Sequence, residues 1–117
     1  MMEVEVIDSP KGKLSRCFLD AGVRITSVSD FLDLLVNCPT DTVVINRESL
    51  TEGFFDLKSG IAGEFLQKVS NYRKRLVILG DYRGIGSKAL RDFIRESNQT
   101  GQVIFTEDLQ QAIELLS

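Results

Sequence analysis

Polar residues that could bind a ligand follow three apolar runs in this chain of 117 residues. The runs cover residues 42–45, 75–79 and 103–105, and each has the length and composition of a buried strand. In open parallel sheets, ligand sites form beyond the carboxyl ends of the strands. The residues that follow the runs are therefore candidates for binding, with solvated turns as the ordinary alternative. They are Asn46, Arg47, Glu48, Asp81, Tyr82, Arg83, Thr106, Glu107 and Asp108.

A second candidate lies in residues 54–63, FFDLKSGIAG, around the start of a predicted amphipathic helix. A helix N-terminus offers unpaired N–H groups and a positive dipole end, which favour an anion or a phosphorylated side chain. Phosphate on Ser59 would add roughly −1.5 to −2 charge at pH 7, and Asp56, Lys58 and Gly60 stand beside it. The simpler interpretation is ordinary helix capping by Asp56 or Ser59.

A third candidate is the glycine-bearing sequence of residues 84–89, GIGSKA, which fits a dinucleotide-binding pattern between a strand and a helix. A carboxylate follows at about the spacing of a ribose-binding acid. Asp81 argues against this function, because it would bring negative charge near a pyrophosphate, and the chain is short for a dinucleotide fold. A P-loop is excluded because the lysine follows the serine instead of preceding it. The residues concerned are Gly84, Gly86, Ser87, Lys88 and Glu107.

Histidine is absent from the chain, which excludes more enzyme chemistry than any other feature. Ser-His-Asp and Cys-His machinery, His-ligated metals and an imidazole pH switch all require it. Carboxylates at Glu48, Asp56 and Asp81 could meet Mg²⁺, although their spacing matches no recognised pattern. We therefore favour a protein that is not an enzyme and has no metal or other cofactor. The remaining acids, bases and nucleophiles are Lys58, Tyr82, Glu107 and Cys17.

The elements that must position these residues alternate between strands and helices. Residues 4–7 and 13–19 flank turn-forming residues at 8–12, which predicts an N-terminal β-hairpin. The three apolar runs predict further strands, and segments of helical periodicity lie between and after them. The predicted order is β-β-α-β-α-β-α-β-α in a single α/β domain over residues 1–117. This alternation implies a mostly parallel sheet.

Capping residues set the predicted helix boundaries. Ser27 precedes the first helix, Ser87 the third and Thr106 the fourth. The second helix lies within residues 49–71, where glycines weaken the first half. We therefore expect that helix to begin near Asp56.

Composition and charge narrow the class of protein. The chain has 14 Lys+Arg against 17 Asp+Glu, which argues against a nucleic-acid binder with a broad basic surface. A basic stripe at Lys88, Arg91 and Arg95 would face solvent or an acidic protein partner. No apolar run approaches the ~20 residues that cross a bilayer, and Cys17 and Cys38 have the apolar neighbours of buried thiols. We expect a cytoplasmic protein that binds no membrane, with a homo-oligomer left open.

Residues 43–45, 55–56 and 59–61 together resemble the strand-to-helix signature of STAS domains, the anti-sigma-factor antagonists and sulphate-transporter tails. The predicted order of elements matches theirs over nearly the whole chain, including the opening hairpin. The resemblance implies that Ser59, directly before the glycine, accepts phosphate from a partner kinase. Residues 57–58 stand where that family has one small residue, so the motif is one residue longer here.

Residues 54–81 and 87–97 also closely resemble a bacterial domain family of unknown function, and this similarity extends from about Ile25 onward. The sequence thus predicts a regulatory or protein-interaction module that is switched by phosphorylation at a helix start. The alternatives are an anion or nucleotide binder at residues 84–88 and a weak metal-assisted enzyme at the strand-end carboxylates. The predicted interaction residues are Asp56, Lys58, Ser59, Gly60, Asn46, Arg47, Asp81 and Arg83.

Overall fold

An antiparallel hairpin opens the fold in the computed structural model, which describes residues 2–116. β1 (Met2–Ser9) pairs along its full length with β2 (Gly12–Leu19). The turn requires a glycine because Gly12 adopts a φ of +106°, which residues with a Cβ rarely adopt. Ser9 stabilises the same turn, since its hydroxyl donates to the Gly12 carbonyl oxygen over 2.6 Å.

Three parallel strands extend the sheet beyond β2. They are β3 (Thr42–Asn46), β4 (Arg75–Leu79) and β5 (Val103–Thr106). Their order in the sheet is their order in the sequence, and they are rich in buried apolar residues, as strands covered on both faces are. Asn46, Leu79 and Thr106 lie level in the register. The loops that follow these strands therefore share one edge of the sheet.

Within the described residues, four α-helices cover the two faces of the sheet. α1 (Val28–Asn37), α2 (Ile61–Asn71) and α3 (Lys88–Thr100) pack on one face over the larger core. α4 (Leu109–Leu115) packs on the opposite face over a smaller core. The predicted α/β fold, with an N-terminal hairpin and a mostly parallel sheet, is confirmed.

Phenylalanine rings join the elements of the larger core. Phe31 of α1 and Phe65 of α2 stack with their ring centroids 4.4 Å apart. The ring of Phe54 lies 5.6 Å from Phe65 and 6.3 Å from Phe105 of β5. Aromatic pairs of this kind contribute roughly 0.5–1.5 kcal/mol beyond the burial of their area. One cluster of rings therefore holds two helices and the chain before α2 against the sheet.

The chain between β3 and α2 differs from the helix predicted to begin near Asp56. This segment, residues 47–60, is called the connector below. It forms three short 3-10 helices, Arg47–Ser49, Glu52–Phe55 and Leu57–Ser59. α2 begins only at Ile61 because Gly60 has a left-handed φ of +78°, which breaks the helical path. Asp56 instead caps the last 3-10 helix by accepting from the Lys58 N–H over 3.1 Å.

Two of the predicted helix caps are confirmed and one is wrong. Ser27 and Ser87 each accept a hydrogen bond from the N–H three residues later, over 3.1 and 3.2 Å. Thr106 does not cap α4, because β5 continues through it, one residue beyond the apolar run. Asp108 is the cap, and its carboxylate accepts from the Gln110 N–H over 2.9 Å.

Candidate functional site

A cleft of about 510 Å³ opens where β3 and β4 end, at the edge of the sheet that the sequence predicts for binding. We call it the Arg47 cleft. Three of its residues, Arg47, Glu48 and Asp81, are strand-end residues that the sequence brings forward as candidates. The full lining comprises Arg24, Arg47, Glu48, Leu50, Glu52, Phe55 and Asp81.

Arg47 lies against two aromatic rings. Its guanidinium carbon is 4.7 Å from the ring centroid of Phe55 and 5.2 Å from that of Tyr82. Its Nη1 donates to the carbonyl oxygen of Asp81 over 2.5 Å. These contacts fix the plane of the side chain. A guanidinium has five N–H donors, so most of them remain for a carboxylate or phosphate that enters the cleft.

Gly80 allows Arg47 to occupy this position. A Cβ built on Gly80 would lie 2.6 Å from the Cβ of Arg47 and 3.0 Å from its Cδ. The Cβ of Arg47 is fixed to the backbone, so it could not turn aside as a side-chain end could. A larger residue at position 80 would therefore displace the connector from the end of β4.

Asp81 is hydrogen-bonded and ion-paired to its neighbour Arg83. Its carboxylate accepts hydrogen bonds from the backbone N–H, the Nε and the Nη2 of Arg83 over 2.9, 3.0 and 3.0 Å. These hydrogen bonds, helped by the charges of Arg83 and Arg47, lower the pKa of the Asp81 carboxyl to about 2. Asp81 is therefore ionised at physiological pH and already has a cationic partner.

Tyr82 is a structural donor at physiological pH. Its hydroxyl donates to the carbonyl oxygen of Ile78 over 2.9 Å. Burial raises the pKa of the Tyr82 phenol well above its usual range, although the charge of Arg47 offsets part of that effect. A phenol with so high a pKa is poorly suited to acid–base chemistry near neutrality.

Ser59 lies exposed at the end of the connector, directly before Gly60. Its Oγ lies 2.7 Å from the carbonyl oxygen of Gly53 and 2.8 Å from that of Asp56. The same Oγ accepts a hydrogen bond from the N–H of Ile61 over 3.2 Å. Because a hydroxyl has one proton, the two carbonyls share it. Ser59 thereby ties the connector to the first turn of α2.

The connector also links Ser59 to the Arg47 cleft. Gly53, which accepts from Ser59, and Phe55, which contacts Arg47, lie in the same 3-10 helix. A Cβ built on Gly53 would lie 2.9 Å from the Cδ1 of Ile61, so the connector approaches the start of α2 closely. Ser59 and Arg47 therefore contact the same short helix.

The loop of residues 80–87, called the glycine loop below, is closed by its own helix. Arg91 of α3 donates to two carbonyl oxygens of this loop, those of residues 85 and 86, over 2.7 and 3.1 Å. Lys88 forms an ion pair with Asp92 at 2.7 Å. Glu107 lines a cleft together with Gly80, Tyr82 and Arg83 of the same loop. Lys88 and Arg91 thus have partners within the protein, while Glu107 lies close to the loop.

A groove of about 450 Å³ runs between the glycine loop, α3 and the exposed Leu115. Two of its polar side chains have structural partners. Arg91 holds the glycine loop, and the amide of Asn98 both donates to and accepts from the backbone of Phe105, over 3.1 and 2.7 Å. The Arg47 cleft is the better candidate because it opens where β3 and β4 end and is lined by three of the predicted strand-end residues.

The structure leaves several predicted site residues outside the Arg47 cleft. Asn46 lines a separate cleft together with residues 18–23. The candidates at the end of the connector lie on its exposed surface: Asp56, Lys58, Ser59 and Gly60. Of the carboxylates proposed for Mg²⁺, Glu48 and Asp81 line the Arg47 cleft and Asp56 lies outside it. Residues 2–116 contain no group of three or more acidic or cysteine side chains placed to hold a metal.

None of the helices within residues 2–116 combines enough length with enough apolar character to cross a bilayer.

Sequence reasoning missed Arg24 and Phe55. Arg24 reaches the cleft because its neighbour Ile25 forms an isolated parallel bridge with Leu50, and nothing in the local sequence marks that bridge. Phe55 carried a signal, since an aromatic residue close to a predicted cationic strand end can stack on it. The other missed lining residues are Leu50 and Glu52.

Comparison with known proteins assigns the chain to a family without assigning an activity. No curated protein and no solved structure matches it. The model of the family described as "Domain of unknown function (DUF4180)" matches residues 15–116. The match includes most of β2, all of β3 to β5, the connector and the four helices. The chain therefore belongs to the DUF4180 family.

Proposed function

We propose that this domain is a regulatory protein-interaction module, organised like a STAS domain, whose partner binds over the connector and the Arg47 cleft. Phosphorylation of Ser59 sets the affinity for that partner. The observation that carries the proposal is the position of the Ser59 hydroxyl. It ties Gly53 and Asp56 together in the segment that presents Phe55 to Arg47.

Phosphorylation would remove the proton that the two carbonyl oxygens share and add roughly −1.5 to −2 charge. The carbonyl oxygens repel this anion, while the N–H groups at the start of α2 attract it. Gly60 supplies no side-chain cap to compete for those N–H groups. The connector would therefore release Gly53 and shift Phe55 relative to Arg47.

The exposed surface beside Ser59 has both an apolar and a cationic component. Leu57 is 37% exposed, and Lys58 is exposed next to it. Arg47 adds a guanidinium with donors available to a carboxylate. The surface suits a protein partner that presents an apolar side chain close to an acidic one.

The similarity to STAS domains supports the same assignment. Ser59 directly precedes a glycine at the start of the helix that follows β3, which is where that family places its phosphoacceptor. The hairpin and the alternating elements also occur in the order of that family. Two observations therefore support the proposal. Ser59 stands at the position of the STAS phosphoacceptor, and a phosphate there would break its hydrogen bonds to Gly53 and Asp56.

The mechanism is tested with protein that carries genetically encoded phosphoserine at position 59. NMR follows the Arg47 Nε–H signal, and hydrogen exchange follows the amides of residues 53–61. We expect faster exchange in this range and a displaced Arg47 signal, because the connector loses its hydroxyl bridge. Phosphoserine at the exposed position 70, at the far end of α2, is the matched control and should leave both readouts unchanged. An Arg47 signal identical in all three proteins would contradict the coupling.

Modification in the cell is tested separately. Intact mass of the protein expressed in its native host should show one phosphate, and Ser59→Ala should remove it. A phosphate that persists in Ser59→Ala would show that another residue is the acceptor. A wild-type chain that carries none, even after incubation with lysate and ATP, would overturn the regulatory part of the proposal.

A further inference from the structure

Two cysteine sulfurs meet inside the larger core. Cys17 lies in β2 and Cys38 directly follows α1, and both are buried, as the sequence predicts. Their Sγ atoms are 3.2 Å apart and share a hydrogen bond. A disulfide needs its sulfurs about 2 Å apart, so a small adjustment of two side chains would bring them to bonding distance.

We propose that Cys17 and Cys38 form an oxidation site, at which hydrogen peroxide converts the two thiols into an intrachain disulfide that thiol reductants reverse. The bond would fasten the C-terminal end of α1 to β2. This inference is independent of the function proposed for Ser59, because it rests on a different part of the fold.

The backbone on either side of the pair is held in register for this reaction. The hydroxyls of Ser15 in β2 and Thr40 after α1 are hydrogen-bonded over 2.7 Å. Lys74 donates from its Nζ to the carbonyl oxygens of Cys38 and Thr40 over 3.3 and 2.8 Å. These contacts fix the chain that carries Cys38 against the strand that carries Cys17. The two sulfurs therefore face each other without any movement of an element.

Cys38 is the sulfur that reacts first. The hydrogen bond from Cys17 lowers the pKa of the Cys38 thiol, and the nearby charge of Lys74 lowers it further, against the opposing effect of burial. The same hydrogen bond, together with burial, raises the pKa of the Cys17 thiol. Cys38 also has more access to a small oxidant, being 4% exposed against 0% for Cys17, with exposed neighbours at Asn37 and Pro39.

The reaction balances with peroxide as the oxidant. The Cys38 thiolate attacks one peroxide oxygen, the O–O bond breaks and hydroxide leaves, which forms a sulfenic acid on Cys38. The hydroxide takes up the proton that the Cys38 thiol released and becomes the first water. The Cys17 sulfur then attacks the Cys38 sulfur, the S–O bond breaks, and the thiol proton leaves with the hydroxyl as water. Two electrons pass from the sulfurs to the peroxide, which ends as two molecules of water.

The test treats the folded protein with a small excess of hydrogen peroxide, followed by an alkylating reagent and intact-mass measurement. We expect a product that is about 2 Da lighter than the reduced chain and takes up no alkyl group. Peptide mapping should join the peptides of Cys17 and Cys38, and dithiothreitol should restore both thiols. The oxidised protein should also melt at a higher temperature, because the crosslink restrains the unfolded chain.

Variants separate the roles of the two sulfurs. Cys17→Ser should retain a sulfenic acid on Cys38 that dimedone labels, whereas Cys38→Ser should react with peroxide roughly tenfold more slowly. Lys74→Met should slow the wild-type reaction, and Lys68→Met, a half-buried lysine of α2, is the matched control. Equal peroxide rates in the two serine variants would overturn the assignment of Cys38 as the first reactant.

The unfolded wild-type chain supplies a control that needs no variant to fold. In guanidinium the same oxidant should also crosslink the two cysteines, since only 20 residues separate them. If the folded protein keeps two free thiols under conditions that crosslink the unfolded chain, the pair is an inert part of the core and the proposal is wrong.

Discussion

Two helices of this domain begin at glycine-bearing segments that look alike in the sequence and are held in different ways. α3 follows the glycine loop, and its N-cap Ser87 accepts from the first turn while Arg91 holds the loop carbonyls. α2 follows the connector, and its N-cap is Gly60, which has no side chain to offer. Ser59 instead bonds back to the connector. The start of α3 is held by residues of its own helix. The start of α2 is held by the Ser59 hydroxyl, whose proton phosphorylation would replace.

The difference shows that the glycines do not decide what a helix start can do. The deciding feature is where the neighbouring polar groups find their partners. In the glycine loop two carbonyl oxygens are bonded to Arg91 of α3. In the connector one exposed serine carries several hydrogen bonds.

The largest effect is expected from removing the packing on which α2 depends. Phe65→Ala should lower the free energy of unfolding by about 3–5 kcal/mol, because Phe65 is fully buried and contacts Phe31 and Phe54. Ile94→Ala in α3 should cost about 2 kcal/mol, since Ile94 lies at the border of the core. Urea unfolding of the reduced proteins measures both. An equal or larger loss in Ile94→Ala would mean that the two helices depend on packing alike.

The regular elements follow from the sequence because their causes are local. The apolar runs at residues 42–45, 75–79 and 103–105 need no partner to be recognised as buried strands. Ser27 and Ser87 cap through hydrogen bonds that span three residues, so spacing alone identifies them. The strand-end rule then brings Arg47, Glu48 and Asp81 to one cleft, because the strands end level in the register.

The connector could not be predicted in the same way because its causes are distant in sequence. Phe54 anchors it by packing on Phe65 and Phe105, and these contacts exist only after the sheet and α2 have come together. The left-handed Gly60 moves the start of α2 to a residue that periodicity does not single out. Arg24 joins the cleft through a bridge between Ile25 and Leu50, which no local pattern signals.

The next largest effect is expected at the start of α3. Ser87→Ala should lower the free energy of unfolding by about 1 kcal/mol, because α3 loses its side-chain cap. Ser87→Asp keeps an oxygen in the capping position and should remain within a few tenths of a kcal/mol of wild type. Urea unfolding at neutral pH compares the three proteins. If Ser87→Ala were as stable as wild type, the cap would contribute nothing and Arg91 alone would hold the start of α3.

At the start of α2 we expect a smaller loss in the free energy of unfolding than at the start of α3, together with a clear local opening of the connector. Ser59→Ala should lower the free energy of unfolding by about 0.5 kcal/mol, because the exposed connector can open while the core stays folded. Amides of residues 53–61 should nevertheless exchange faster, since Gly53 and Asp56 lose their shared donor. Ser70→Ala on exposed α2 surface is the control. A global loss larger than that of Ser87→Ala, without local opening, would reverse the contrast between the two starts.

The smallest effect concerns the ion pair of Asp81 with Arg83 in the glycine loop. The pKa of the folded Asp81, about 2, lies below the unfolded value of ~3.9. Its contribution to stability is therefore complete above that unfolded value and is lost as the pH falls through 2. Because both side chains are more than half exposed, solvent screening keeps the contribution small.

Asp81→Asn should accordingly lower the melting temperature slightly at pH 7, and the difference from wild type should shrink towards zero as the pH falls through 2. NMR titration of the Asp81 carboxyl carbon should give a midpoint near the low pKa. A midpoint at the ordinary aspartate value would show that the pair does not form in solution. If Asp81→Asn instead destabilises the protein more than Ser87→Ala, an exposed ion pair holds the glycine loop. The glycine loop would then be held by a charge contact for which anions in solution can compete. Like the connector, it would depend on a single exposed contact.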